Sequence, residues 1–336
     1  MWNLKNAARE LAPVVRAFAA HPAQVVRSLP DEWRQRMGKA SVAEADFDDD
    51  WNEHLHNLLG SPWPCPEAQQ LSDLLADISK LLTEKGLGTG RHTYGWYSDM
   101  DTDMCTATWC AVRHSKPEVV LETGVAHGVS SRVVLEALVL NDRGHLWSID
   151  VPNPINLQVR GQEGAAVTES CRSRWTYVEG ESRRRMPPLV TEVGKVELFI
   201  HDSLHTFKNT LFEMEQAASV MRPGGVMLID DIRGHDGFAT FAHRHPEFKT
   251  IYVSTPDRIG AFGIAVYVLS SEPRKSRIAP VKPSGSCWCT KWSPCNSTRR
   301  VFGRCSAMAC AWRRVMGLFS PASRSAGQPV ASQSAQ

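Results

Sequence analysis

Apolar positions along this chain gather into short runs at intervals that suit an alternating α/β fold. Val119–Gly124, His145–Asp150, Trp175–Gly180, Val196–Asp202, Val226–Asp231, Lys249–Ser254 and Ala261–Leu269 are mostly β-branched or aromatic and predict seven strands. Ser130–Asn141 and Phe207–Met221 are long enough for crossover helices, the second stopped by Arg222 to Gly225. Only a few polar residues around Pro256 and Asp257 separate the last two runs, which predicts an antiparallel hairpin rather than another βαβ unit. Upstream, Leu71, Leu74, Leu75, Ile78, Leu81 and Leu82 recur at helical spacing until Gly86 and Gly88 stop them, so residues 1–90 read as a helical extension. The acidic patch Asp46–Asp50 reads as the solvated start of a helix, with carboxylates near its positive end.

The string Glu-Thr-Gly-Val-Ala-His-Gly-Val-Ser from Glu122 to Ser130 follows the first apolar run directly. A strand that enters a glycine turn and then a helix places an adenosine-containing cofactor at the carboxyl edge of a parallel sheet. Gly124 and Gly128 are separated by three residues, unlike the G-x-G-x-x-G of pyrophosphate-binding sites. A cofactor without phosphates, such as S-adenosylmethionine, does not need the third close-approach glycine. Asp150 ends the second run 28 residues after Glu122, where a carboxylate can accept the ribose hydroxyl protons.

Four strings in order, Val120–Ser131, Leu146–Asp150, Phe199–Thr206 and Arg222–Asp231, resemble successive motifs of class I S-adenosylmethionine-dependent methyltransferases. The likeness covers roughly Arg91 to Ser270 and is greatest to the small-molecule O-methyltransferase group of methyltransferase family 24 type. It implies an α/β, Rossmann-like sheet of seven strands, mostly parallel with a terminal antiparallel hairpin, behind the helical extension. It also implies that Gly124, Gly128 and the amides near Ser130 approach the methionine part of the donor. Glu122 then balances its ammonium group, Asp150 grips the ribose, and Glu181 or Ser182 contacts the adenine. The aromatic segment Arg91–Tyr97 is expected near the pocket.

Asp202 closes the fourth run while Asp230 and Asp231 close the fifth, so three carboxylates converge at one crevice. They repel one another unless a cation sits among them, and Mg²⁺, with its preference for hard oxygen ligands, suits the place. This pattern is similar to that of metal-dependent catechol-type O-methyltransferases. The same likeness makes His205 the general base, oriented by Ser203 and Thr206, and an expected hydroxyl-bearing small molecule the acceptor. A competing reading makes His205 a helix cap. His201, on the opposite face by strand alternation, is expected to be packed or hydrogen-bonded, and His127 to be exposed beside the cofactor. Three rivals remain: a non-catalytic binding protein of the same fold, an NAD-dependent oxidoreductase without its glycine fingerprint, and an iron-dependent hydroxylase using Asp202, His205 and Asp230.

The formal charge of +2 hides an asymmetry. Residues 273–336 hold eleven Lys and Arg and no Asp or Glu, leaving 27 basic against 36 acidic residues, a net −9, in the first 272. This tail carries Cys287, Cys289, Cys295, Cys305 and Cys310, is rich in Ser, Pro and Arg, and is expected to be disordered. C-x-C-x5-C lacks the paired spacing of zinc modules, and the arginines are too scattered for a nucleic-acid face. No apolar run approaches the roughly 20 residues of a membrane span, and the first residues lack a secretory pattern. A cytoplasmic enzyme is therefore expected, with its N-terminal helices as a candidate surface for pairing subunits.

Overall fold

The β-branched runs become strands because each alternates apolar side chains between two covered faces. The computed structural model describes residues 46–88, 93–94, 101–152, 159–255 and 260–268. The strands are β1 (Val119–Thr123), β2 (His145–Asp150), β3 (Trp175–Glu179), β4 (Val196–His201), β5 (Met221–Ile229), β6 (Phe248–Ser254) and β7 (Ala261–Tyr267). The helices are α1 (Trp51–Leu59), α2 (Ala68–Glu84), α3 (Thr102–Ser115), α4 (Val129–Leu140), α5 (Ser182–Val193), α6 (Phe207–Val220) and α7 (Gly237–Arg244). The chain divides into two units, Met1–Arg274 and Lys275–Gln336, and every described residue lies in the first. The expectations for residues 1–45 and for the basic tail therefore fall outside the described residues.

All strands join one sheet in the order β3-β2-β1-β4-β5-β7-β6. β1 to β5 pair in parallel, and β7 runs antiparallel to both β5 and β6. This is a Rossmann-like, mostly parallel sheet that ends in an antiparallel hairpin. The strand order reverses between β1 and β4, so the crevice outside their carboxyl ends is the natural ligand site.

Two apolar clusters cover the faces. Val120, Leu198, Ile200, Val226 and Leu228 face the cluster that includes α3 and α4, with α1 and α2 packed into it. Their neighbours Val119, Leu121, Phe199, Met227 and Ile229 face the cluster built with α5, α6 and α7. Residues i and i+1 thus serve opposite layers, the period-two signature of a sheet buried on both sides. α2 buries Leu71, Leu74, Ile78 and Leu82, while Leu75 and Leu81 are only partly covered. Trp51 of α1 meets Phe262 of β7 edge-on at 5.8 Å, and the Asp48 amide donates to the Tyr252 carbonyl of β6.

β5 departs from expectation by starting at Met221 rather than Val226. Its pairing with β4 jumps from Val196–Met221 to Leu198–Val226, a bulge that takes up Arg222 to Gly225. Gly224 supplies the left-handed backbone there, at φ 83°.

Gly124 fixes how β1 meets β4. Its φ is 88°, and a Cβ there would stand 1.8 Å from the carbonyl oxygen of Asp202. Gly124→Ala combines a left-handed penalty with an overpacked backbone, so a loss of about 2–5 kcal/mol is expected in denaturant unfolding. A loss of less than about 1 kcal/mol would show that the two chain segments yield freely.

Candidate active site

The turn after β1 is closed by a segment that sequence reasoning passed over. A Cβ on Gly128 would lie 2.7 Å from Cα of Gly164, so two glycine backbones touch where the turn becomes α4. The Gly164 amide donates to the Ala126 carbonyl and the Ala166 amide to the His127 carbonyl, at 3.0 and 2.8 Å. His127 is consequently fully buried, which corrects its expected exposure. Its Nε2 lies 3.2 Å from Gln162 Oε1, and its ring meets Tyr94 edge-on at 5.1 Å. Tyr94 also donates to Glu163, so this member of the aromatic segment does reach the turn. Arg91, His92 and residues 95–97 lie outside the described residues.

Glu122, expected to balance an ammonium group, lies inside the sheet. It is completely buried, and its carboxylate accepts hydrogen bonds from Ser130, Ser131 and Ser148, each at 2.6 Å. Trp175 Nε1 donates in turn to Ser148. Burial pushes the Glu122 pKa up, and the three hydroxyls oppose that shift. Glu122 thus fastens β1, β2 and the first turn of α4 together, and the Ser130 hydroxyl is spent on it.

Asp150 stands at the end of β2, where one carboxylate oxygen accepts the Val151 amide at 2.8 Å. Its pKa is pushed up to about 7, mainly by burial and further by Glu122 and Glu163. Tyr177 on β3 feels the Asp150 charge, and its hydroxyl is buried without a hydrogen-bond partner among the described residues. Among the described residues, the phenol beside this carboxylate keeps an open hydrogen-bond position. Beyond β3, Glu181 precedes α5 and lies 3.5 Å from Arg184, while Ser182 hydrogen-bonds Glu213. Arg183 and Arg185 are both engaged by backbone carbonyls, of Lys208 and Glu179.

At the neighbouring strand ends, β4 and β5 deliver Asp202 and Asp230, and the loop before α6 delivers His205. His205 Nε2 is 3.5 Å from both Asp202 Oδ1 and Asp230 Oδ2, and Nδ1 is 3.7 Å from Asp231 Oδ2. Donor atoms of Asp202, His205 and Asp230 all lie within 4.8 Å of one another, and Asp231 is outside this close set. Asp231 has φ 49°, a left-handed strain that turns the chain away after Asp230. Burial raises the pKa of Asp202, and it raises that of Asp230 with help from Asp202. For His205 burial acts downward, but the Asp202 hydrogen bond and the charges of Asp230, Asp202 and Asp231 outweigh it and lift the pKa to about 9. In the protein alone, the cation that reconciles these carboxylates is the His205 ring itself.

Ser203 and Thr206 do not take up the expected orienting contacts. Thr206 caps α6 through the Asn209 amide, so the cap is Thr206 rather than His205, and Ser203 donates to Glu213. Glu213 is fully buried under the crevice and also accepts from Thr123, Asn209 and His201 Nδ1. Although burial alone would raise it, His201 and the hydroxyls hold its pKa below the usual range. Thr210 bridges His201 Nε2 to His235 Nε2 at 2.9 and 3.1 Å, and the Gly237 amide donates to His235 Nδ1. His201 is therefore a packed, hydrogen-bonded residue. Asp101, which sequence reasoning also missed, caps α3 and borders the cluster. Burial first, then Asp230, pushes its pKa up to about 6. Its signal was an Asp directly before a helix start.

Comparison with known proteins places residues 121–232 in a match to a methyltransferase-domain family. No curated protein matches the chain. Among solved structures, the O-methyltransferase TomG of Streptomyces achromogenes, in complex with SAM, is 15% identical with a TM-score of 0.45. That likeness covers 58% of this chain and 89% of the other. An O-methyltransferase from Bacillus cereus in complex with SAH is 14% identical with a TM-score of 0.43, covering 66% and 99% respectively.

His205 gives the site a measurable proton. Because its folded pKa of about 9 exceeds the ordinary 6.5, the stabilisation it contributes is complete below about pH 6.5 and is lost as pH rises through about 9. In metal-free protein, the His205 ring resonance is expected to titrate near pH 9 and to move down in Asp230→Asn. A midpoint at or below 6.5 would remove the ring from its place among the carboxylates.

Proposed function

We propose, from the premise that residues 121–232 form a methyltransferase domain, that the protein moves a methyl group from S-adenosylmethionine to a hydroxyl oxygen of a small molecule, assisted by a divalent metal ion. The observation that carries this reading is the direct contact of the glycine turn with the acid cluster: Gly124 abuts the backbone of Asp202. A donor seated on the turn is thereby adjacent to the groups that handle the acceptor.

The donor fits the half of the crevice at β1 and β2. Gly124 and Gly128 shape the turn by letting it pack on Asp202 and Gly164, and Asp150 with the Tyr177 hydroxyl offers polar partners for a ribose. Glu181 and Ser182 flank the adenine side, and Glu122 acts at one remove by holding Ser130 and the turn in place. Asp202 and Asp230 would hold the metal in the other half, with Asp231 outside the close set, since hard oxygen donors suit Mg²⁺.

The donor supplies a methyl on a sulfonium, already an excellent leaving group. The metal, when bound, supplies a fixed positive charge that acidifies an acceptor hydroxyl. The chain aligns acceptor oxygen, methyl carbon and sulfur in line and excludes water. As the oxygen–carbon bond forms the carbon–sulfur bond breaks, and the hydroxyl proton passes to His205, whose ring would be neutral once another cation among the carboxylates had displaced its own proton.

Incubating the protein with S-adenosylmethionine, Mg²⁺ and a metabolite pool is expected to give a product heavier by one methyl group in mass spectrometry. Asp202→Ala and chelator are each expected to lower turnover by about 10²–10⁴. A folded protein that binds the donor yet yields no such product with any pool would be a binding protein instead. In calorimetry, Asp150→Ala is expected to weaken donor binding about 10–100-fold, as loss of a charge-assisted hydrogen bond does. Unchanged affinity would move the ribose elsewhere.

A further inference from the structure

A second cluster of ligating side chains lies outside the crevice, where the N-terminal helices meet α3. α1 carries His56, the segment between α1 and α2 carries Cys65, and α3 carries Cys110 and His114. Cys110 and His114 are four residues apart and so share one face of α3. His56 and Cys110 are fully buried, and the donor atoms of all four residues lie within 4.8 Å of one another.

The spacings are those of a coordination shell. Tetrahedral zinc, at about 2.3 Å from sulfur and 2.0–2.1 Å from nitrogen, sets its ligand atoms roughly 3.3–3.8 Å apart. Here Cys65 Sγ is 3.5 Å from Cys110 Sγ and 3.4 Å from His114 Nε2. A disulfide requires about 2.05 Å between sulfurs, and both cysteines are free thiols. The tautomer of His56 supplies an independent sign. Its Nδ1–H donates to the Asn52 carbonyl at 2.7 Å, which leaves the lone pair on Nε2, and that atom is buried without a partner among the described residues. A ring nitrogen fixed through a backbone carbonyl, with the other nitrogen bare, is how proteins present a histidine to a metal.

We propose that His56, Cys65, Cys110 and His114 bind one zinc ion, which fastens the N-terminal helices to the methyltransferase domain. Two thiolates with two imidazoles select zinc over the oxygen-seeking Mg²⁺ and Ca²⁺. Four protein donors leave no open position, so the ion is structural. His114 also lines a surface depression of about 360 Å³ together with Pro62, Pro66, Arg113 and Lys116. The opposite end of α3 begins at Asp101, beside Asp230. Nine residues at about 1.5 Å each put Cys110 about 14 Å along that axis, so the two centres are separate. The proposal does not rest on the methyl-transfer reading.

The test is metal analysis of the full chain after loading with zinc sulfate and desalting. Wild type is expected to hold about one zinc more per chain than Cys110→Ser, while the cysteines of residues 273–336 are unchanged between them. X-ray absorption at the zinc edge of wild type is expected to show two sulfur and two nitrogen neighbours, and this readout survives if the variant fails to fold. Cobalt substitution is expected to give the intense visible bands of a tetrahedral site with thiolate-to-metal charge transfer. Equal zinc in wild type and Cys110→Ser, a shell of another composition, or a Cys65–Cys110 disulfide in the native protein would overturn the proposal.

Discussion

The contact between the Gly124 backbone and the carbonyl of Asp202 is the constraint on which the crevice depends. Parallel strands alone bring β1 and β4 side by side, but only a residue without Cβ, at positive φ, lets the turn after β1 lie directly on the end of β4. Two features that are 78 residues apart in sequence, the glycine turn at Gly124 and the acid cluster at Asp202, become neighbours through one missing methyl group. Gly128 repeats the device against Gly164, which seats the covering segment on the same turn.

Charge is handled differently on the two sides of this contact. Glu122 is sealed inside among three serine hydroxyls, a neutral and fully bonded environment. Asp202, Asp230 and Asp231 instead surround His205, whose ring carries the compensating proton. Burial that penalises Asp202, Asp230 and His205 separately is offset because they are arranged as opposites.

Much of this was legible in the sequence, because it follows local rules. The seven strands came from β-branched runs, the glycine turn from its spacing, and the placement of Asp150, Asp202 and Asp230 from their positions at strand ends. What was not legible depends on partners distant in the chain. Glu122 turns inward because Ser148, 26 residues away on β2, meets it. His127 is covered because residues 162–166 fold back over it, and Tyr177 acquires meaning only beside Asp150. The start of β5 was misplaced because a bulge absorbs a Pro-Gly-Gly stretch that otherwise reads as a turn. The His56, Cys65, Cys110 and His114 cluster left only one local trace, a Cys and a His four apart on α3. Its other members enter across a 45-residue gap that no motif spacing encodes.

The floor of the crevice is held by Glu213, which gathers hydrogen bonds from β1, β4 and α6 at one buried carboxylate. Directional bonds of this kind resist sliding in a way that an oily contact does not, so the ends of β1 and β4 keep their register whatever sits above them. Loops that shape the mouth are free to diverge over such a footing. The turn after β1 and the acid cluster at the end of β4 thereby keep their spacing independently of the loops above them.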